Sequence, residues 1–273
     1  MPRRPWFCPG YLARGQCDDA ASLFGQAIRY NHGIEGQTGG TMHRRMELND
    51  AFCAIDRGRL TEGRGRFRAV QDAAAEELLL RLLARGFIAQ VDHLKGRLDA
   101  ANEGYSAALQ QLIGIGRQRS VSYFRRCRAD LLRRMGRQND FHYELDMVIQ
   151  AAEAGGYIDF VHFAHVSEAR LQLASDGNVR DLLPQLEHAE KYADMMDMTR
   201  LKGEVLRTRA DILLKQDETT LAADLVSEAL RIANLNGLVW RRIAYTELLS
   251  KITRQQGNTA AADRLLQWTS RSA

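Results

Sequence analysis

Lysine is nearly missing from this 273-residue chain. Only Lys95, Lys191, Lys202, Lys215 and Lys251 occur among its 38 basic residues, so 33 arginines carry the rest of the positive charge. Proline is scarce as well: Pro2, Pro5 and Pro9 crowd the N-terminus, and Pro184 is the only other. Beyond residue 9 the chain therefore meets few obligatory helix breaks. Long hydrophobic runs are lacking. The richest, Leu78 to Val91, is interrupted by Arg81 and Arg85 and falls short of the roughly 20 residues of a membrane span. No apolar run follows the arginines of MPRRPWFCPG, so a secretory signal is not expected. The four cysteines (Cys8, Cys17, Cys53, Cys127) show no short paired spacing; Cys8 and Cys17 are near enough to pair, but scattered cysteines without a secretion signal read as reduced and buried. These absences point to a cytoplasmic protein that does not enter membranes. The 45% hydrophobic and 26% charged shares exclude a disordered tail, a collagen-like chain and a disulfide mini-scaffold.

What is present is charge asymmetry and periodicity. Residues 1–140 hold 23 basic against 15 acidic side chains, and residues 141–273 hold 15 against 19. The chain thus has a basic half and an acidic half, which bears on partners more than on fold. A repeat organises the whole sequence. Polar turns recur at Gly15-Gln16, Gly58-Arg59, Gly96-Arg97, Gly136-Arg137, Gly177-Asn178, Asp217-Glu218 and Gly257-Asn258, separated by 43, 38, 40, 41, 40 and 40 residues.

The residues flanking each turn repeat too. Five positions on stand Ala20, Gly63, Ala101, Phe141, Leu182, Ala222 and Ala262. Nine on, every residue is bulky: Phe24, Phe67, Tyr105, Leu145, Leu186, Val226 and Leu266. Twelve on, they are mostly small or β-branched, from Ala27 and Val70 to Ala229 and Thr269; seven before come Cys8, Ala51, Ala89, Ala129, Arg170, Ala210 and Ser250. Offsets of five, nine and twelve lie on one face of an α-helix. Small residues on both sides of a turn let two antiparallel helices approach, and the bulky residue fills the gap between neighbouring hairpins. The expectation is an all-α fold of about seven helix–turn–helix units of some 40 residues, forming one domain over residues 1–273 with repeats across 15–270. Phe141, Leu182 and Arg170 break the small-residue rule. The fourth and fifth hairpins should pack less closely or with a one-residue shift, Ala169 serving in place of Arg170.

The segments GQCDDAASLFGQA (Gly15–Ala27), GRLDAANEGYSAA (Gly96–Ala108) and DETTLAADLVSEA (Asp217–Ala229) carry a resemblance to the tetratricopeptide repeat family. The period of about 40 exceeds that family's usual 34, and the usual proline after the second helix is missing. In this the chain looks like the longer repeats of maltose-activator-type transcription regulators and STAND-class signalling ATPases. The resemblance implies a right-handed α-solenoid superhelix whose first helices line a concave groove. It also implies a role in a bacterial regulatory, signalling or defence system.

The two ends differ. Residues 1–14 read as irregular, because Pro2, Pro5 and Pro9 oppose a first helix there, leaving Trp6, Phe7, Tyr11 and Leu12 without an obvious cap. That edge serves either as a docking or self-association surface or as a lid folded back over the second helix. The glycine-rich Asn31–Thr41 lacks the lysine of a phosphate-binding loop and reads as a connector.

Candidate functional residues concentrate where arginine does. Arg117, Arg119, Arg125, Arg126, Arg128, Arg133, Arg134 and Arg137 are relieved only by Asp130. By the resemblance, Tyr123, Arg126, Asp130, Arg133 and Arg134 would face the groove, joined by Arg45, Gln90 and His93 before them. Arg207, Lys215, Lys251 and Arg254 would follow, among the acids Glu204, Asp211 and Glu247. Arginine forks grip carboxylate and phosphate in a bidentate way, and Tyr123 and Phe124 offer stacking. The alternative is a solvated helix face paired with acids of neighbouring hairpins. Mixed charge toward the C-terminus suits an acidic protein or peptide better than nucleic acid, which needs continuous positive potential. Nucleic-acid binding through the fourth hairpin stands as the alternative. His162, His165 and Glu168 have the wrong spacing for a strong zinc motif and read as core-edge residues. Met195-Met196-Asp197-Met198 reads as filler of a packing gap, and Asp18-Asp19 and Glu76-Glu77 as helix-start acids. No nucleophile–base pair or metal set is evident, so the expectation is a binding protein without cofactor or catalytic residues.

Overall fold

A computed structural model describes residues 22–26, 28–29, 40–174 and 182–272. Residues 22–26 and 28–29 are helical, and from Thr41 onward twelve helices follow; no strand occurs among the described residues. They are α1 (Thr41–Asp56), α2 (Leu60–Ala73), α3 (Leu78–Leu94), α4 (Leu98–Gly114), α5 (Gln118–Arg134), α6 (Gln138–Gly155), α7 (Ile158–Ala174), α8 (Leu183–Met195), α9 (Thr199–Lys215), α10 (Thr219–Leu235), α11 (Val239–Gln255) and α12 (Thr259–Ser272). The fold is all-α, with successive helices packed against their neighbours in the chain. The expectations about the N-terminal edge, Cys8, Cys17, Asp18-Asp19, the Asn31–Thr41 connector and the Gly15 and Gly177 turns lie outside the described residues.

The 40-residue period has a plain origin. Most helices are 17 residues long and most connections three, so two helices and two connections make one step. Nine of the described connections close in the same way, the four-residue link between α2 and α3 being different. At the end of α3, Gly96 takes φ +75°; the Arg97 N–H donates to the Asp92 carbonyl at 2.9 Å and the Gly96 N–H to the His93 carbonyl at 3.0 Å. This is the Schellman arrangement, in which a left-handed residue lets the chain turn back on the last carbonyls of the helix. Gly58, Gly136, Asp217 and Gly257 repeat the left-handed residue within hairpins, at positions expected from the sequence. A second series, Gly116, Gly156, Asp197 and Gly237, does the same between hairpins.

Two compact units divide the chain, one built mainly on residues 59–164 and the other on residues 165–273. In the first, the residues of the repeat pattern sit as their sizes require. Ala101, Ala108 and Ala129 are fully buried where helices touch, and Phe67 and Tyr105 fill the space between hairpins. Phe87 joins the layers: its ring lies 5.0 Å from Phe67 in a stack and meets Phe52 and Phe124 edge-on at 5.4 and 5.3 Å. Each such pair contributes roughly 0.5–1.5 kcal/mol beyond its buried area. Gly86 allows this closeness, for a Cβ there would lie 2.4 Å from the Phe124 ring. Phe141 occupies a small-residue position and is nevertheless fully buried.

In the second unit Ala189, Ala210, Ala222 and Ala229 are buried completely, as is Val226. Gly203 lets α9 meet α11, since a Cβ there would fall 2.6 Å from the Tyr245 hydroxyl. The shift allowed for at Arg170 is real: Ala169 is fully buried, while Arg170 is half-buried and ion-paired. The methionine run is not packing filler. Met195 and Met196 are 73% and 47% exposed, because Asp197, at φ +53°, makes this segment a between-hairpin turn.

Candidate functional site

The arginines of α5 divide by face. On the side toward α6, Glu144 is buried and accepts from Arg125 Nη1 at 2.8 Å and Arg128 Nη1 at 2.6 Å. Arg128 also donates to the Asn102 side chain at 3.1 Å. Arg119 pairs with Asp159 at 3.1 Å and lies against the Tyr157 and Phe160 rings; Arg137 pairs with Asp140 at 2.7 Å. For these four arginines, pairing with acids of the same or the next hairpin describes their setting.

The other residues are those that the resemblance assigned to the groove. Tyr123 and Gln90 meet: the tyrosine hydroxyl donates to Gln90 Oε1 at 3.1 Å. Arg126 lies over the Tyr123 ring at 5.5 Å and the Phe163 ring at 4.8 Å, with Asp130 3.9 Å away. One Asp130 oxygen, Oδ1, is buried without a hydrogen-bond partner among the described residues. His93 stands close enough to Asp130, Arg133 and Arg134 to feel all three charges. Its burial, opposed by Asp130 and aided by Arg134 and Arg133, pushes the imidazole down to about 4, so it is neutral at ordinary pH. Arg134 instead turns back and donates to the His93 carbonyl at 3.1 Å, placing a cation at the C-terminus of α3. Arg45 is half-buried on α1.

Below this face the chemistry is quiet. Cys127 is buried, and desolvation raises its thiol, so it stays protonated; burial also raises the fully enclosed Tyr105 hydroxyl. Cys53 is likewise a buried free thiol. Glu77 stands just before α3, at the helix start expected for it, and accepts from Arg44 Nε at 2.7 Å. His162 and His165 are half-buried. No group of three or more potential metal ligands occurs among the described residues, and no helix there is long and apolar enough to cross a membrane.

The second unit holds its own polar cluster on the corresponding helices. Glu204 on α9 pairs with Arg170 of α7 and Arg241 of α11, both at 3.2 Å, and accepts from the Tyr245 hydroxyl at 3.4 Å. Asp211 is surrounded by Arg207, Arg170, Lys251 and Glu204; desolvation raises its carboxyl against the pull of the three cations. Arg207 and Lys251 therefore belong to one electrostatic neighbourhood. Lys215 is exposed at the end of α9, and Arg254 pairs with Asp263 of α12 at 2.6 Å, across its own hairpin.

Phe163, Arg170, Arg241 and Tyr245 were not singled out from sequence as groove residues. The repeat offset carries a signal for two of them: Phe163 stands forty residues after Tyr123, and Arg170 forty after Asp130. Comparison of the sequence with family models finds no match, and none is found among curated proteins.

Proposed function

We propose that this chain is a non-enzymatic scaffold or sensor that binds an acidic protein or peptide along the face formed by its first helices. The observation that supports the reading most is the Tyr123–Arg126–Asp130–Arg133 face of α5, set beside Gln90 and His93 of α3 and Phe163 of α7. Arginine stacked on aromatic rings is held in place before a ligand arrives, so less freedom is lost when it takes a carboxylate. A neutral His93 and the buried Asp130 oxygen add polar groups of definite direction. On this reading the repeats form a right-handed superhelix of about seven hairpins, Arg45, Arg207, Lys215, Lys251 and Arg254 extend the binding face, and the uncapped N-terminal edge supports self-association. The system served is a bacterial regulatory or signalling one, as the tetratricopeptide-like pattern suggests.

Nucleic-acid binding is the second reading, favoured by Arg117, Arg119 and Arg137 at the ends of α5. It demands positive charge left over for phosphates, yet Asp159 and Asp140 already take up two of these three. A titration of labelled generic duplex at low salt separates the two. Duplex affinity that falls steeply with added salt supports the nucleic-acid reading. The peptide reading expects weak duplex binding at any salt, together with saturable binding of Asp/Glu-rich peptides that Arg126→Glu with Arg133→Glu abolishes.

A further inference from the structure

A cleft of about 450 Å³ opens between α2, α3 and α4, on a different face of α3 from Gln90 and His93. That volume lies at the small end of the range of ligand clefts, roughly 300–1,000 Å³. Its floor is made hollow by Ala89, Ala100 and Gly104. Gly104 is required for the packing below it, since a Cβ there would sit 2.8 Å from the Ala89 Cβ. Around the hollow stand long side chains from three helices: Arg68 of α2, Arg85 of α3 and Glu103 of α4, with Gln71 beside them.

The charges on the walls are unspent. Asp92, the other acid in the lining, is taken by Arg64 at 3.2 Å and Arg97 at 2.7 Å. Among the described residues neither Arg68 nor Arg85 has an acidic partner, and Glu103 has no basic one. An arginine fork is best satisfied by a carboxylate, and a lone glutamate by an ammonium group. Two exposed, unpaired forks and one exposed, unpaired carboxylate around a small hollow floored by Ala89, Ala100 and Gly104 are the complement of a molecule with two carboxylates and one amine. We propose that this cleft binds a free acidic amino acid, with Arg68 and Arg85 holding its carboxylates and Glu103 its ammonium. The site is independent of the peptide-binding face and stands or falls apart from it.

The test is an NMR titration of the isotopically labelled full chain with L-glutamate, with glutarate, which lacks the amine, and with L-glutamine, which lacks the second carboxylate. L-glutamate should give saturable shifts confined to amides of α2, α3 and α4, with glutarate and L-glutamine each about tenfold weaker or more. Arg68→Ala and Arg85→Ala should each weaken L-glutamate about tenfold or more, as expected for losing a charge-assisted pair. Ala100→Leu, at an exposed position on the floor, should abolish binding while the melting temperature holds. Glu103→Gln should make L-glutamate no tighter than glutarate. Absence of a saturable shift with L-glutamate, binding indifferent to Arg68, Arg85 and Ala100, or glutarate equal to L-glutamate in the unaltered chain would each overturn the proposal.

Discussion

Helix α5 presents arginine on two faces, and the two are held in different ways. Toward α6, Arg125 and Arg128 converge on Glu144, whose side chain is 3% exposed, and form a triad around a buried carboxylate. Toward α3 and α7, Arg126 is 16% exposed, stands on two aromatic rings and lies 3.9 Å from Asp130. In the first case the charges close on each other and hold one hairpin together. In the second, Arg126 is held by rings, which fix the guanidinium in place. The same residue type on the same helix is therefore held by a buried anion on one side and by aromatic rings on the other, and it is the second side that we propose for recognition. The count of arginines alone carries no such distinction.

Breaking this triad should have the largest effect. Glu144→Ala leaves two partly buried guanidiniums without their anion and should cost about 3–5 kcal/mol in urea unfolding, without altering peptide binding by the folded fraction. Next comes the pH response of the recognition side. His93 has a folded value of about 4 against 6.5 ordinarily, so between these values the unfolded chain binds the extra proton. This contribution is complete above about pH 6.5 and lost as pH falls toward 4. It amounts to at most about 3 kcal/mol and should vanish from the pH dependence of urea unfolding in His93→Asn. Gly86→Ala forces a methyl into the Phe124 ring and should cost about 1–3 kcal/mol, read as a lowered urea midpoint. The smallest effect on stability belongs to Arg126→Ala, below about 1 kcal/mol, because a half-buried cation over rings contributes little more. If Arg126→Ala destabilised as much as Glu144→Ala, the two faces of α5 would not differ as described.

Much of the fold was legible because a repeat multiplies weak signals. Gly58, Gly96, Gly136, Asp217 and Gly257 all turn the chain where the sequence placed turns, and Ala101, Tyr105 and Ala108 are buried as their shared face requires. The second turn series stayed hidden. Gly116, Gly156, Asp197 and Gly237 recur at the same period, but their apolar neighbours Ile115, Met196 and Leu235, exposed in the structure, carry no turn signal. Of the residues that the resemblance placed on one face, Gln90 accepts from Tyr123 and His93 lies near Asp130, contacts that the sequence did not specify. Glu144 was not legible. A glutamate in the second helix of a hairpin looks like a surface acid, and nothing local marks it as the anion that satisfies two arginines 16 and 19 residues earlier. Likewise Arg134, which the resemblance assigned to the groove with Arg133, reaches back to a carbonyl at the end of α3.

The central claim is that the Arg126–Arg133 side of α5 takes acidic groups, whereas the Arg125–Arg128 side does not. It is tested most directly by fluorescence polarisation of labelled Asp/Glu-rich peptides with the intact chain, an Arg126→Glu/Arg133→Glu variant and an Arg125→Met/Arg128→Met/Glu144→Leu variant that removes the ion triad whole, all confirmed as folded by circular dichroism. Loss of binding, tenfold or more, in the first variant alone is the predicted result. Equal binding by all three proteins, or loss only in the second variant, would contradict it.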